Sequence, residues 1–282
     1  MECVSTKRCI IGEAPIWNAK EKKLYFVNGF ESEILSVDIT TKELNIRKVE
    51  KAACAISFDK DYRMIVSRWD GAFYLNPDGT EEPLCDLKEY PILYGNDAKV
   101  GPDGRYYIGT QCEKRVGASD KINGKLWRID KNGKANAILD GLLISNGFDW
   151  SADERFLYHT DSDTRLVKEY EFDKATGDIE YTGRSVMLPG VDGMTVDLEN
   201  NLYVACMREN HIAVVDTKEF KVKSYIKTDT FVPASCSYAG ENMDSLAIVT
   251  ATYNVDLEHN PDTGMTFLYN TGTKGRAPYL FG

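Results

Sequence analysis

The chain reads as an all-β protein, a six-bladed β-propeller with four antiparallel strands per blade. Three observations predict it. A pattern of large apolar residue, polar turn and β-type run recurs six times along 282 residues. The copies stand 41 to 50 residues apart, the spacing of propeller blades. No long amphipathic segment of helical period interrupts them.

The copies start at Trp17, Phe58, Val100, Trp150, Val196 and Tyr238. The runs that follow, LYFV, MIVS, YYIG, FLYHT, LYVAC and LAIVTAT, are short and rich in β-branched and aromatic side chains, which suit a pleated, half-buried surface. Asp, Asn, Gly and Lys fill the turns before them, as hairpins require. Later runs such as SEILSVDIT, GAFYLN, GKLWRID, RLVKEYEFD and HIAVVD supply the remaining strands of each blade. Radial repetition leaves only short, protected sheet edges. Without a linker or a shift in composition, residues 1–282 form a single propeller domain. The longer polar stretch from Gln111 to Gly124 is expected to be a surface loop rimming one mouth.

Composition narrows the partners. Hydrophobic residues make up 43% and charged residues 28%, the mix of a soluble globular protein. A net charge of -10, with no long basic cluster, argues against nucleic acid and acidic membrane surfaces. No stretch approaches the ~20 apolar residues of a membrane span. Seven cysteines without a CxxC pair fit free thiols in a reducing compartment. The N-terminal MECVSTKRCIIGEAP lacks the apolar core of a secretory signal. The expectation is a cytoplasmic protein, monomeric or a weak homo-oligomer.

The chemistry emerges from the repeat register. Four residues before each apolar start stand Glu13, Cys54, Asn96, Asn146, Asp192 and Ala234. Equivalent positions in a propeller lie on one ring around the axis, and four of these six carry oxygen donors. Taken singly, each is as readily a turn residue; four in register are not so easily dismissed. Glycines beside them permit tight backbone paths. Two converging carboxylates need a counter-charge, and a divalent cation supplies one. Ca²⁺ is taken first and Mg²⁺ also prefers oxygen ligands, while Mn²⁺ and Zn²⁺ can use such a set. Few protein ligands leave positions open for water and substrate, the mark of a catalytic metal.

Competing signatures are weak. The sequence has no G-x-S-x-G, H-E-x-x-H or Walker A motif. His159, His211 and His259 do not repeat in register. The segment Asp161 to Leu166, DSDTRL, has too few ligand positions for a calcium loop. Cys54 is read as a small buried residue.

The segments GEAPIW, GNDAKVGPDGRYYIGT, SNGFDWSADERFLYHTDS, DGMTVDLENNLYVA and GTKGRAPY, in this order, resemble the senescence marker protein (regucalcin), gluconolactonase and luciferin-regenerating enzyme family over nearly the full chain. The resemblance implies a six-bladed propeller and one divalent metal held by Glu13, Asn146 and Asp192. It implies that Asn96 lines the substrate site and that Asp192 is the catalytic base. The substrate it implies is a small sugar-acid (aldono) lactone, opened by a gluconolactonase-like hydrolase. One departure stands out: sugar lactonases of the family carry Arg two residues before the Asn, and Tyr94 is here. Tyr offers one hydroxyl and an aromatic face instead of a fork of donors, which opens the door to another lactone or ester. Arg68 and Arg208, near strand ends, are candidates for a substitute guanidinium. The alternative from another class is a non-catalytic calcium-binding or interaction propeller, since fold alone does not imply chemistry.

Overall fold

The computed structural model describes residues 1–68, 70–87, 95–115, 117, 119–207 and 209–282. The chain opens with β1 (Glu2–Ser5) and then lays down five blades in sequence. Blade one is β2 (Gly12–Asn18), β3 (Lys23–Asn28), β4 (Glu33–Val37) and β5 (Leu44–Lys48). Blade two is β6 (Ala55–Phe58), β7 (Met64–Arg68), β8 (Gly71–Leu75) and β9 (Glu81–Asp86). Blade three is β10 (Gly95–Val100), β11 (Tyr106–Thr110), β12 (Gly124–Ile129) and β13 (Ala135–Leu142). Blade four is β14 (Ser145–Trp150), β15 (Phe156–Asp161), β16 (Leu166–Phe172) and β17 (Ile179–Met187). Blade five is β18 (Val191–Val196), β19 (Asn201–Cys206), β20 (His211–Asp216) and β21 (Lys221–Lys227). Blade six takes β22 (Pro233–Ala239), β23 (Ser245–Thr250) and β24 (Thr266–Asn270), and β1 returns to complete it as the outermost strand. Every sheet is four-stranded and antiparallel. The expected fold class is what the chain adopts, with closure of the ring by its own N-terminus added.

The repeat starts explain the packing. Trp17, Phe58, Val100, Trp150, Val196 and Tyr238 are all buried, each near the end of an innermost strand. Around Trp150, which is fully buried, Tyr107, Phe148 and Phe172 meet its ring edge-on at 5.0–5.9 Å, a geometry that favours aromatic pairs. This cluster joins blades three and four; another, with Trp17, Phe26, Tyr203 and Tyr238, joins blades one, five and six. After each start the chain turns through one left-handed residue: Lys22, Tyr62, Gly104, Glu154, Asn200 and Met243. Side-chain oxygens brace these turns, as where Asn18 Oδ1 accepts the amides of Lys20 and Glu21 at 3.0 Å.

The innermost strands β2, β6, β10, β14, β18 and β22 touch their neighbours around a closed ring. All but β6 carry a bulge at matching places. A bulge adds one residue and re-aims the side chains beside it. No helix among the described residues is long and apolar enough to cross a membrane.

Candidate functional site

The bulges lie where the ring residues lie. Glu13 borders the bulge of β2, and Asn96, Asn146 and Asp192 fall within those of β10, β14 and β18. Ala14, directly after Glu13, is held left-handed at φ 49°, a conformation that costs a non-glycine residue energy. Gly147 and Gly193 follow Asn146 and Asp192. A Cβ on Gly147 would stand 2.3 Å from the Asp192 carbonyl oxygen, and one on Gly193 would stand 2.0 Å from Ser235 Oγ. Only glycine lets these strands approach so closely.

The ring is wired for oxygen donation. Asn146 is buried, and its Nδ2 donates to Ser162 Oγ at 3.0 Å and to Asp192 Oδ1. Asn96 Nδ2 donates to the Ser145 carbonyl at 3.0 Å. Both carboxamides thus spend their donors on protein, which leaves their oxygens as acceptors. Burial pushes the Asp192 carboxyl up to about 8, opposed by the Asn146 hydrogen bond and helped by the charge of Asp97. Glu13 is half-buried and keeps some solvent contact. Its carboxyl is raised well above the usual range by burial first, then by the charges of Asp192 and Asp97.

The other two ring members do not add ligands. Cys54 is half-buried, its Sγ 3.3 Å from the Ser67 carbonyl, and burial pushes the thiol up to about 12, so it stays protonated and binds metal poorly. Ala234 is buried and apolar. Among the described residues no cluster of three or more His, Cys, Asp and Glu side chains could hold a metal; a centre here depends on the carboxamides. The donor set of two carboxylates and two amide oxygens fits a hard divalent cation.

The histidines stand apart from the ring. His159 is buried against Ser145 Oγ at 2.8 Å, and burial first, then Lys168, drops it to about 3, keeping it neutral. His211 packs on Tyr225 and His259 pairs with Asp256 in solvent. Tyr94 and Arg208 lie outside the described residues. Arg68, considered above as a substitute guanidinium, is committed elsewhere. Its Nε donates to Asp70 at 3.1 Å, its Nη1 to Glu81 at 2.5 and 2.7 Å, and its plane stacks on Phe73 at 3.9 Å. The loop from Gln111 follows β11 at the ring end of blade three, with Gln111 bridged to Ile144.

A second ring escaped the sequence reading. Three residues beyond the first lie Ile16, Ser57, Lys99, Asp149, Thr195 and Ser237, and all six line one cavity. The C-terminal tail contributes to its wall. Arg276 Nη2 donates to Asp149 Oδ1 at 2.8 Å, and Asp149 also accepts from Thr195, Val196 and Trp150, with Lys99 Nζ 3.8 Å away. The tail continues across the face, pairing Gly275 with Asp197 and Phe281 with Asp59. Counting on by three along each repeat would have revealed the ring; nothing in the repeat points to Arg276.

The fold and the ring together define a six-bladed propeller with carboxylate and carboxamide side chains at matching places on its innermost strands. The family model described as "SMP-30/Gluconolactonase/LRE-like region" matches residues 11–252, and the chain belongs to that family. Regucalcin of Danio rerio is 27% identical over 290 residues, covering all of this chain and 98% of the relative. Human regucalcin is 28% identical over 305 residues with the same coverage. Among solved structures, a calcium-binding protein, regucalcin, from Agrobacterium tumefaciens superposes with a TM-score of 0.89 at 20% identity, covering 100% of this chain and 97% of that one. A luciferin-regenerating enzyme superposes at 0.88 with 24% identity, covering 99% and 98%. A gluconolactonase from Xanthomonas campestris gives 0.74 at 14% identity, covering 95% and 88%.

Proposed function

We propose that this chain is a metal-dependent lactonase that opens small sugar-acid lactones, with Glu13, Asn146 and Asp192 holding the cation. The observation that carries the reading is the ring itself: four oxygen-donor residues at matching bulges, with both amide groups anchored through their nitrogens. Family membership supports the hydrolase class, and the calcium-binding Agrobacterium neighbour supports Ca²⁺ as the first ion to test. Glu13, Asn146 and Asp192 would hold a divalent cation, which would supply Lewis-acid chemistry toward the lactone carbonyl. Asp192 accepts the proton of the attacking water and returns it to the leaving alkoxide. Glu13 and Asn146 fix the geometry, and Asn96 orients the substrate or a water. Tyr94, where sugar lactonases carry Arg, is a further substrate-binding residue of this reading, and the alternative it opens is another lactone or an ester.

The test is hydrolysis of a panel of aldono-lactones, other γ- and δ-lactones and aryl esters by the parent, Asp192→Ala and Asp192→Asn, each with Ca²⁺, Zn²⁺, Mn²⁺ or Mg²⁺. The expected result is metal-dependent acid release by the parent and a loss of about 100-fold or more in both variants, the scale of general-base catalysis. Full activity in both variants refutes the role of Asp192. The Agrobacterium tumefaciens neighbour, described as a calcium-binding protein, favours a second reading, calcium binding without turnover. Stoichiometric Ca²⁺ binding with no hydrolysis across the panel would establish it.

A further inference from the structure

Two side chains outside the ring hold the chain that delivers it. Asn28, fully buried at the end of β3, accepts the backbone amides of Ile10 and Ile11 on its Oδ1, at 3.1 and 3.4 Å. Asp161, buried at the end of β15, accepts the amides of Leu143 and Ile144 on its two carboxylate oxygens, at 2.9 and 3.0 Å. The positions are equivalent. Asn28 pairs in register with Gly12, one residue before Glu13, and Asp161 pairs with Ser145, one residue before Asn146. In both blades the clamped amides lie three and two residues before the ring side chain. Such amides have lost their sheet partner and need another.

A clamp from this position is not a general feature of the blade; in blade six the matching amide, Val232, goes to Thr263 Oγ1 at 3.1 Å. Thr110, Cys206 and Thr250 hold the same register in blades three, five and six. Their side chains bond to Lys125, Val204 and Met265 of their own blades instead. Blades one and four face each other across the axis, so the two clamps act on opposite sides of the ring. Each is itself braced. Asn28 Nδ2 donates to Glu33 at 3.0 Å and to Glu31, and Lys7 and Lys48 hold Glu33 at 3.1 and 2.8 Å. Ser162, next to Asp161, receives the Asn146 amide. Among the described residues Asp192 has no clamp of this kind and is instead tied to Asn146.

We propose that Asn28 and Asp161 are positioning residues for the metal ring, setting the span between Glu13 and Asn146 through the backbone that precedes each. The inference rests on the reading of those two residues as ligands. Groups bonded directly to metal ligands are worth roughly 10- to 100-fold in affinity, and a clamp on the backbone just before a ligand is taken at the lower end of that scale.

The experiment titrates Ca²⁺, then Zn²⁺ and Mn²⁺, into the chelator-treated full chain by calorimetry and measures the chelated melting temperature beside it. The variants are Asn28→Ala, Asp161→Asn and, as a register-matched control, Thr250→Ala. Asp161→Asn keeps shape and one acceptor oxygen but turns an NH₂ toward an N–H, so the clamp is halved at nearly constant volume, and the chelated melting temperature reads whether the fold is retained. The expected result is a Kd raised about tenfold or more in both clamp variants and unchanged within about twofold in Thr250→Ala. In the Glu13→Ala background, Asn28→Ala should add nothing further. Metal binding by the parent with Kd unmoved in the clamp variants, or moved equally in the control, overturns the inference alone. Absence of binding by the parent overturns the metal reading and this inference with it.

Discussion

Removing the charge at residue 192 should stabilise the metal-free protein at neutral pH. Burial raises the Asp192 carboxyl from 3.8 to about 8. A group raised on folding binds its proton more tightly in the native state than in the unfolded chain. Its contribution to stability is therefore complete below about pH 4 and is lost as pH rises toward 8, at roughly 1.4 kcal/mol per pH unit. By pH 7 the loss amounts to roughly 4 kcal/mol. Asp192→Asn keeps the shape and an amide oxygen to accept from Asn146, but it never ionises. Urea unfolding of both proteins in chelator between pH 5 and pH 9 reads the difference. The parent should fall relative to the variant by about 1 kcal/mol or more per pH unit, levelling near pH 8. Saturating Ca²⁺ should reverse the order, because the cation compensates the carboxylate that the variant lacks. Parallel pH profiles in chelator would refute the argument that this carboxyl is buried without a counter-charge.

The same proton should appear in the binding reaction. At pH 7 Asp192, and Glu13 with its carboxyl also raised, must give up their protons to ligate, so Ca²⁺ titrations in two buffers of different ionisation enthalpy should report net proton release, and apparent affinity should rise with pH up to about 8. Binding heats independent of buffer would remove Asp192 from the ligand set. At the other ring, Arg276→Ala leaves Asp149 with Lys99 at 3.8 Å and three hydrogen-bond donors but no guanidinium. Breaking this largely buried pair should cost about 2–3 kcal/mol in urea unfolding, and an unchanged midpoint would show that the tail does not brace the blades.

Much of the fold was legible because the repeat marks a physical event. Each apolar start is a buried residue near the end of an innermost strand, and the polar turn behind it is the hairpin that follows. The ring was legible for a subtler reason. A bulge shifts side-chain register by one residue, so counting back across it should fail, yet β2, β10, β14 and β18 all bulge at matching places and the offset survives. In β6, which runs without a bulge, the count lands on Cys54, outside the strand. What could not be read lacks a period. A lone strand such as β1 gives no sign of the blade it completes, and Lys22, Tyr62, Glu154 and Met243 hold left-handed turns that their residue types do not announce. Asp161 was visible only as part of an incomplete calcium loop; its two oxygens go to backbone amides instead.

The donor economy of the ring argues for the valence of its ion. If Asn96 or Asn146 were Asp, the carboxylate could not donate to the Ser145 carbonyl or to Ser162, and a third negative charge would enter a space where Glu13 and Asp192 already resist ionisation. The amides add oxygen ligands without charge and fix their own orientation through their nitrogens. Asp97, beside Asn96, is buried with one carboxylate oxygen unpartnered among the described residues, and burial raises its proton affinity too. Two carboxylates that ionise only against a counter-charge are balanced by a dication and underpaid by a monovalent one. On this reasoning K⁺ or Na⁺ should leave the pH slope of the chelated protein in place, and a divalent ion should abolish it.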